Sequence, residues 1–129
     1  MNPDKKSSCQ LSKCFGSKLW THSEKAIVAN VSAVREWDSN GTVFGYDPKR
    51  EGHSAGEFGH NDFYPVVIAA CHNNSQFTGQ DALKGMILLD EIRGRLAEVF
   101  SLRTHKIDHV LYGAIASAAT YGAMMGATS

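Results

Sequence analysis

From Ser23 onward, apolar residues return at helical steps. Ile27, Val31, Val34 and Trp37 fall three and four residues apart, with Ala26, Ala29 and Ala33 between them, which is the pattern of one face of an amphipathic helix. The spacing predicts a helix over Ser23 to Trp37, with Ser23 as N-cap and Glu24 in the first turn near the positive helix end. Asp38-Ser39-Asn40-Gly41 then favours a turn over a helix interior. A second helix is expected over the apolar run Phe63 to Cys71, capped by Asn61 or Asp62, with Pro65 tolerated in its first turn. Because that run is apolar nearly all round, the helix should be buried. Thr78-Gly79-Gln80-Asp81 has the layout of a capping box. It opens the longest periodic segment, in which Leu83, Met86, Leu89, Ile92 or Arg93, Leu96 and Val99 or Phe100 trace a stripe opposite Lys84, Asp90, Glu91, Arg95 and Glu98. The last helix is expected from about His109 to Met125, with Asp108 as N-cap and Gly126 as a C-terminal stop.

Two stretches lack either period. Residues 1–22 mix Lys, Ser, Cys and Gly and read as a loosely ordered N-terminal segment ahead of a helical unit over 23–129. Residues 39–62 hold Gly41, Gly45, Gly52, Gly56, Gly59 and Pro48, with Thr42, Tyr46, His53, Glu57 and His60 among them. No element of regular length fits there. A loop this long inside a compact domain is either functional or a surface insertion. The fold class is therefore all-α: about four helices and a long glycine-rich loop.

Composition narrows the function. The chain of 129 residues suffices for one domain, and 13 Lys+Arg balance 13 Asp+Glu for a formal net charge of +0. A neutral chain has no electrostatic footprint for nucleic acid or an anionic membrane, so neither is expected as a partner. The uncharged stretch from Val110 onward is rich in Gly, Ala and Ser, which suits close packing of helices better than a membrane span. No apolar run near the N-terminus makes a signal peptide, so secretion is not expected. Cys9, Cys14 and Cys71 are odd in number and form no Cys-x-x-Cys pair, which argues against a disulfide framework and a structural zinc. The third and fourth helices are so apolar or so small-faced that further neighbours are expected, either a second copy in a homodimer or additional helices.

Several residues carry chemistry. Asp38 and Thr42 flank the first helix stop; they read either as ordinary turn formers or as a carboxylate and a hydroxyl presented beside the loop. His53 and His60 lie in the loop seven residues apart, a poor spacing for metal, so no metal site is expected. Either could be a solvent-exposed histidine or an acid/base group, since histidine titrates near neutrality. His60 sits just before one helix N-terminus and His109 opens another, positions where an anionic ligand is favoured. Arg93 belongs either to a solvated helix face or, lying near the apolar stripe, to a carboxylate clamp. Cys71 reads as a structural thiol.

Taken together, Val34-Arg35-Glu36-Trp37-Asp38-Ser39-Asn40-Gly41-Thr42, Gly59-His60-Asn61-Asp62, Thr78-Gly79-Gln80-Asp81 and Ile107-Asp108-His109-Val110-Leu111 resemble the helical domain of the MmgE/PrpD family. That family contains 2-methylcitrate dehydratase and cis-aconitate decarboxylase. The resemblance runs from Ala29 to Ser129 and implies a partial helical domain, since family members are several times longer. It implies that Asp38, Thr42, His60 and His109 occupy catalytic positions, with His53 and Arg93 as candidates to bind substrate. The implied chemistry is dehydration of 2-methylcitrate to 2-methylaconitate without an iron–sulfur cluster, so no cofactor is expected and the partner is a small tricarboxylate. A decarboxylase of the cis-aconitate type is the alternative within the family, and a non-catalytic helical remnant that dimerises or binds is the alternative outside it. The family resemblance points to the cytoplasm or the mitochondrial matrix. Arg35, Lys49, Arg50 and Arg93 are the cations nearest in sequence to such a substrate.

Overall fold

A computed structural model of the chain describes residues 10–36, 42–51, 57–59 and 61–128. Among these residues the protein is mostly helical. Its α-helices are α1 (Ser23–Arg35), α2 (Tyr64–His72), α3 (Gly79–Val99) and α4 (Val110–Met124). Two short antiparallel hairpins accompany them: β1 (Leu11–Lys13) with β2 (Trp20–His22), and β3 (Thr42–Phe44) with β4 (Glu57–Gly59). Single 3-10 turns over Asn61–Phe63 and Arg103–His105 lead toward α2 and α4.

α2 lies at the centre, packed against α1, α3, α4 and β1. Its sequence, apolar on all sides, matches that position: Pro65, Val67, Ala69 and Ala70 are all buried. Val67, Leu89 and Ala116 from three different helices form one core cluster, with Phe63, Tyr64, Met86, Ile92 and Met124 around it. A second cluster of Ala97, Leu102 and Tyr112 closes the α3–α4 end. There the Tyr112 hydroxyl donates to the Phe100 carbonyl at 2.6 Å and accepts from the Leu102 amide at 3.2 Å, stapling the α3–α4 connection.

The helix boundaries follow local chemistry. The Thr78–Asp81 capping box forms in both directions, and Asp81 accepts from the Thr78 amide at 2.8 Å. These bonds hold the Asp81 carboxyl below its usual range. Gly126 sits at φ +77, and its amide and that of Ala127 bond back to Ala123 and Gly122, a left-handed helix stop. α1 begins at Ser23 with His22 as cap, one residue earlier than the expected start after a Ser23 cap, because the Ser23 side chain is engaged elsewhere. α4 likewise takes His109 rather than Asp108 as its cap, although Asp108 still accepts from the Val110 amide at 3.0 Å.

Three expectations from hydropathy are corrected. Residues 10–22, read as loose, form the β1–β2 hairpin. It is tied down by polar groups rather than by a hydrophobic face. Ser12 is fully buried, bonding Ser23 at 2.9 Å and the Ala69 carbonyl at 3.3 Å. Asn73 donates to Ser23 at 2.8 Å, and buried Asn30 accepts from the Phe15 amide at 2.7 Å and donates to the Lys13 carbonyl at 3.0 Å. The loop over 39–62 likewise contains β3 and β4, each too short to show an alternation. Finally, the α3 stripe that is buried runs Gly85, Leu89, Arg93, Ala97. Leu83, Ile87 and Val99 are exposed. A strict four-residue step places Arg93 inside with Leu89 and leaves Leu83 outside.

Two predictions follow from this packing. A methyl added at Gly85 would come within 2.7 Å of Val67 and 2.9 Å of Met124. Overpacking of that kind costs about 1–3 kcal/mol, which exceeds the helix-propensity gain of roughly 1 kcal/mol for alanine. Gly85→Ala should therefore lower the urea midpoint, and an unchanged or raised midpoint would contradict this packing.

The second concerns His72, whose Nδ1 accepts from the Lys13 amide at 3.3 Å while its ring meets Trp20 at 5.2 Å. Burial, and then the Lys13 charge, push the His72 pKa below 6.5. The unfolded chain therefore takes up this proton at a higher pH than the folded one. The stability contributed by the neutral ring is complete above 6.5 and is lost as pH falls through the folded value. His72→Asn, which keeps an acceptor but does not titrate, should show a smaller fall in unfolding midpoint between about pH 7.5 and about pH 5. Parallel curves for the two proteins would refute the assignment.

Candidate functional site

The candidate site lies where the β3–β4 hairpin, the turn before α2, the middle of α3 and the start of α4 meet. Thr42 pairs in register with Gly59, Val43 with Phe58, and Phe44 with Glu57. The hairpin thus closes the glycine-rich loop and sets Thr42 opposite the residue before His60. At its far edge Gly45 has φ +63, and a Cβ there would lie 2.7 Å from the Ala97 carbonyl. Only glycine lets the chain leave β3 this close to α3.

Arg93 is the unusual member. It is 2 % exposed, on the buried stripe of α3. Its guanidinium carbon lies 5.4 Å from the Phe44 ring centre and 4.7 Å from that of Phe63. Its Nη1 donates to Asp90 at 3.0 Å. Burial pulls the Arg93 pKa down, and the Asp90 charge is the largest of the opposing influences. Asp90 also accepts from the Tyr64 hydroxyl at 2.5 Å. Burial first, and then that bond, push the Tyr64 pKa up to about 12. One carboxylate therefore serves a buried cation and a half-buried phenol. Next to it, Arg35 at the end of α1 donates to buried Asp62 at 2.9 Å.

Phe63 extends the stack to α4. A Cβ on Gly113 would come within 2.0 Å of the Phe63 ring, so the ring lies directly on the α4 backbone. His109 is four residues before Gly113 and shares its face of the helix. The His109 side chain is 16 % exposed, with Nδ1 3.2 Å from Asp108.

Among the residues named from the sequence, Arg93 contacts Phe44, two residues after Thr42 on β3, and Phe63, which rests on α4 four residues after His109. Asp38, His53 and His60 lie outside the described residues. Of the cations nearest a tricarboxylate in sequence, Arg35 faces Asp62, Arg93 faces Asp90, and Arg50 donates to the Glu98 carbonyl. The groove beside Phe44, of about 350 Å³, is rimmed by Asp90, Glu91, Glu98 and Arg95, a surface that repels a trianion. Among the described residues no group of three or more His, Cys, Asp or Glu could hold a metal ion, and no helix is long and apolar enough to cross a membrane. Sequence reasoning did not single out Phe44, Tyr64 or Asp90. The Gly85-Leu89-Arg93-Ala97 step was the available signal, since a basic residue in register with buried small and apolar ones requires a carboxylate one turn away.

The domain is a helical one in which a histidine opens a small-residue helix beside a hairpin-closed glycine loop. A family model described as the MmgE/PrpD N-terminal domain matches residues 5–129. The chain belongs to the MmgE/PrpD family, which includes hydro-lyases. No curated protein and no solved structure matches it.

The two kinds of ion pair should differ in weight. Asp90→Asn weakens the partner of a cation that is 2 % exposed, and should cost about 2 kcal/mol in urea unfolding. Glu91→Gln acts on an Arg95 pair whose side chains are 70 % and 60 % exposed, and should cost less than about 0.5 kcal/mol. Equal losses would show that Arg93 is not held as described.

Proposed function

We propose that this chain carries part of the active site of a hydro-lyase that dehydrates 2-methylcitrate to 2-methylaconitate. The observation that carries the reading is the Phe44–Arg93–Phe63–Gly113 contact chain, which joins the strand that begins at Thr42 to the helix that His109 caps. Membership of the MmgE/PrpD family supports it. Dehydration needs a base to remove a proton beside a carboxylate and an acid to protonate the departing hydroxyl, and histidines suit both near neutral pH. On this reading His109 and His60 share the acid and base work, Asp38 orients a histidine or the substrate hydroxyl, and Thr42 donates to a substrate carboxylate. His53 lies in the same loop as a further substrate contact.

The test is turnover of 2-methylcitrate by the purified chain, followed by the ultraviolet absorbance of the new conjugated double bond. His109→Ala should lower kcat by about a hundredfold or more, the usual weight of one acid/base group. Turnover unaffected by His109→Ala would refute the assignment. Release of itaconate from cis-aconitate would move the reaction to decarboxylation. A folded chain that neither binds nor converts either acid would leave a non-catalytic binding domain.

A further inference from the structure

Arg93 has the residue type of a carboxylate ligand and the surroundings of something else. Its Nη1 donates to Asp90, and its guanidinium carbon lies over two aromatic rings. Those rings come from opposite sides of the glycine-rich loop. Phe44 ends β3, two residues after Thr42, and lies 3.7 Å from where a Cβ on Gly94 would stand. Phe63 ends the turn that follows the loop and rests on Gly113 of α4. A guanidinium can hold two rings in this way because it is flat, permanently charged and weakly hydrated. An ammonium at the same place is a point charge that stacks poorly.

We infer that Arg93 is a positioning residue: its guanidinium, lying over both Phe44 and Phe63, fixes both ends of the glycine-rich loop against α3 and α4 and so sets the distance from the Thr42–Gly59 step to His109. The inference rests on the dehydratase reading for its catalytic consequence, but the clamp itself is a statement about structure alone. A substrate ligand and a clamp predict different losses. Removing a ligand raises KM, whereas loosening a clamp misplaces groups in the transition state and lowers kcat.

Two variants test it, Arg93→Lys and Phe44→Leu, each in the full 129-residue chain. The first readout is amide hydrogen exchange by NMR. Exchange at residues 42–44 and 57–59 should accelerate about tenfold or more in both variants, while α2 and the β1–β2 hairpin keep their protection and report an intact fold. The second is the kinetic split with 2-methylcitrate: kcat should fall between about tenfold and a hundredfold with KM within about twofold. Unchanged exchange at 42–44 and 57–59 would overturn the clamp, whatever the turnover. A raised KM at constant kcat in Arg93→Lys would overturn it in favour of a substrate ligand. A wild-type chain without turnover would sink the dehydratase reading and leave the exchange experiment to decide the clamp.

Discussion

Burying the Arg93 guanidinium is the constraint around which the candidate-site end of this domain is organised. An arginine at 2 % exposure would be strongly destabilising without partners, because a charge leaving water loses several kcal/mol of hydration. Here Asp90 supplies the opposite charge, and Phe44 and Phe63 supply the negative faces of their rings. Each partner imposes a demand on the chain around it. Phe44 must reach α3, so β3 runs against that helix and leaves it at Gly45. Phe63 must lie flat between α3 and α4, so Gly113 has no side chain. Asp90 must face Arg93 while partly buried, and the Tyr64 hydroxyl satisfies one of its oxygens. Four segments distant in sequence are thereby required to meet.

At the other end of the molecule the work is done by neutral polar groups. Ser12, Ser23, Asn73 and Tyr121 form a chain of side-chain contacts that links β1, α1, the end of α2 and α4. Each bond contributes about 1 kcal/mol, but leaving any one buried group without its partner costs more. Such a seam fixes the hairpin in one register, since a slip by one residue would turn Ser12 to the opposite face and bury Leu11 or Lys13 in its place.

These two devices explain what the sequence could show. Helix existence, order and approximate ends were legible, because capping chemistry at Thr78 and Gly126 and a 3.6-residue period leave direct traces. The all-round apolar run of α2 correctly signalled a central helix. Both hairpins were illegible because strands of three residues are shorter than any alternation a reader can detect. The β1–β2 hairpin was doubly hidden, its anchors being Ser and Asn, residues that composition assigns to loops. On α3 the hydropathy stripe included Leu89 and Arg93, which are buried, but also Leu83 and Val99, which are exposed, and it missed Gly85 and Ala97. Hydropathy scales treat glycine as neutral, so the part of a face built from close backbone approach leaves no trace in them. The site was legible only as residue types. That Thr42 stands opposite Gly59, and that His109 shares a helix face with the glycine beneath Phe63, are facts of tertiary packing.

The neutral net charge then takes on a specific meaning. Arg35 with Asp62, Arg93 with Asp90, and Arg95 with Glu91 and Glu98 are pairs internal to the domain. Cations engaged this way hold helices together and have little field left for a ligand, because a paired charge presents a dipole to its surroundings. On the proposed reading, a tricarboxylate at this end would be met mainly by neutral donors: a threonine, and a histidine that becomes cationic only as it takes up a proton. An acid/base group that gains its positive charge during the reaction binds the departing state more strongly than the arriving one. That difference, rather than tight binding of substrate, is what lowers a barrier. On that reading a histidine acting as base suits elimination for this reason, provided that the segments carrying the reacting groups are held still. The stacked arginine supplies that rigidity from outside the reacting shell.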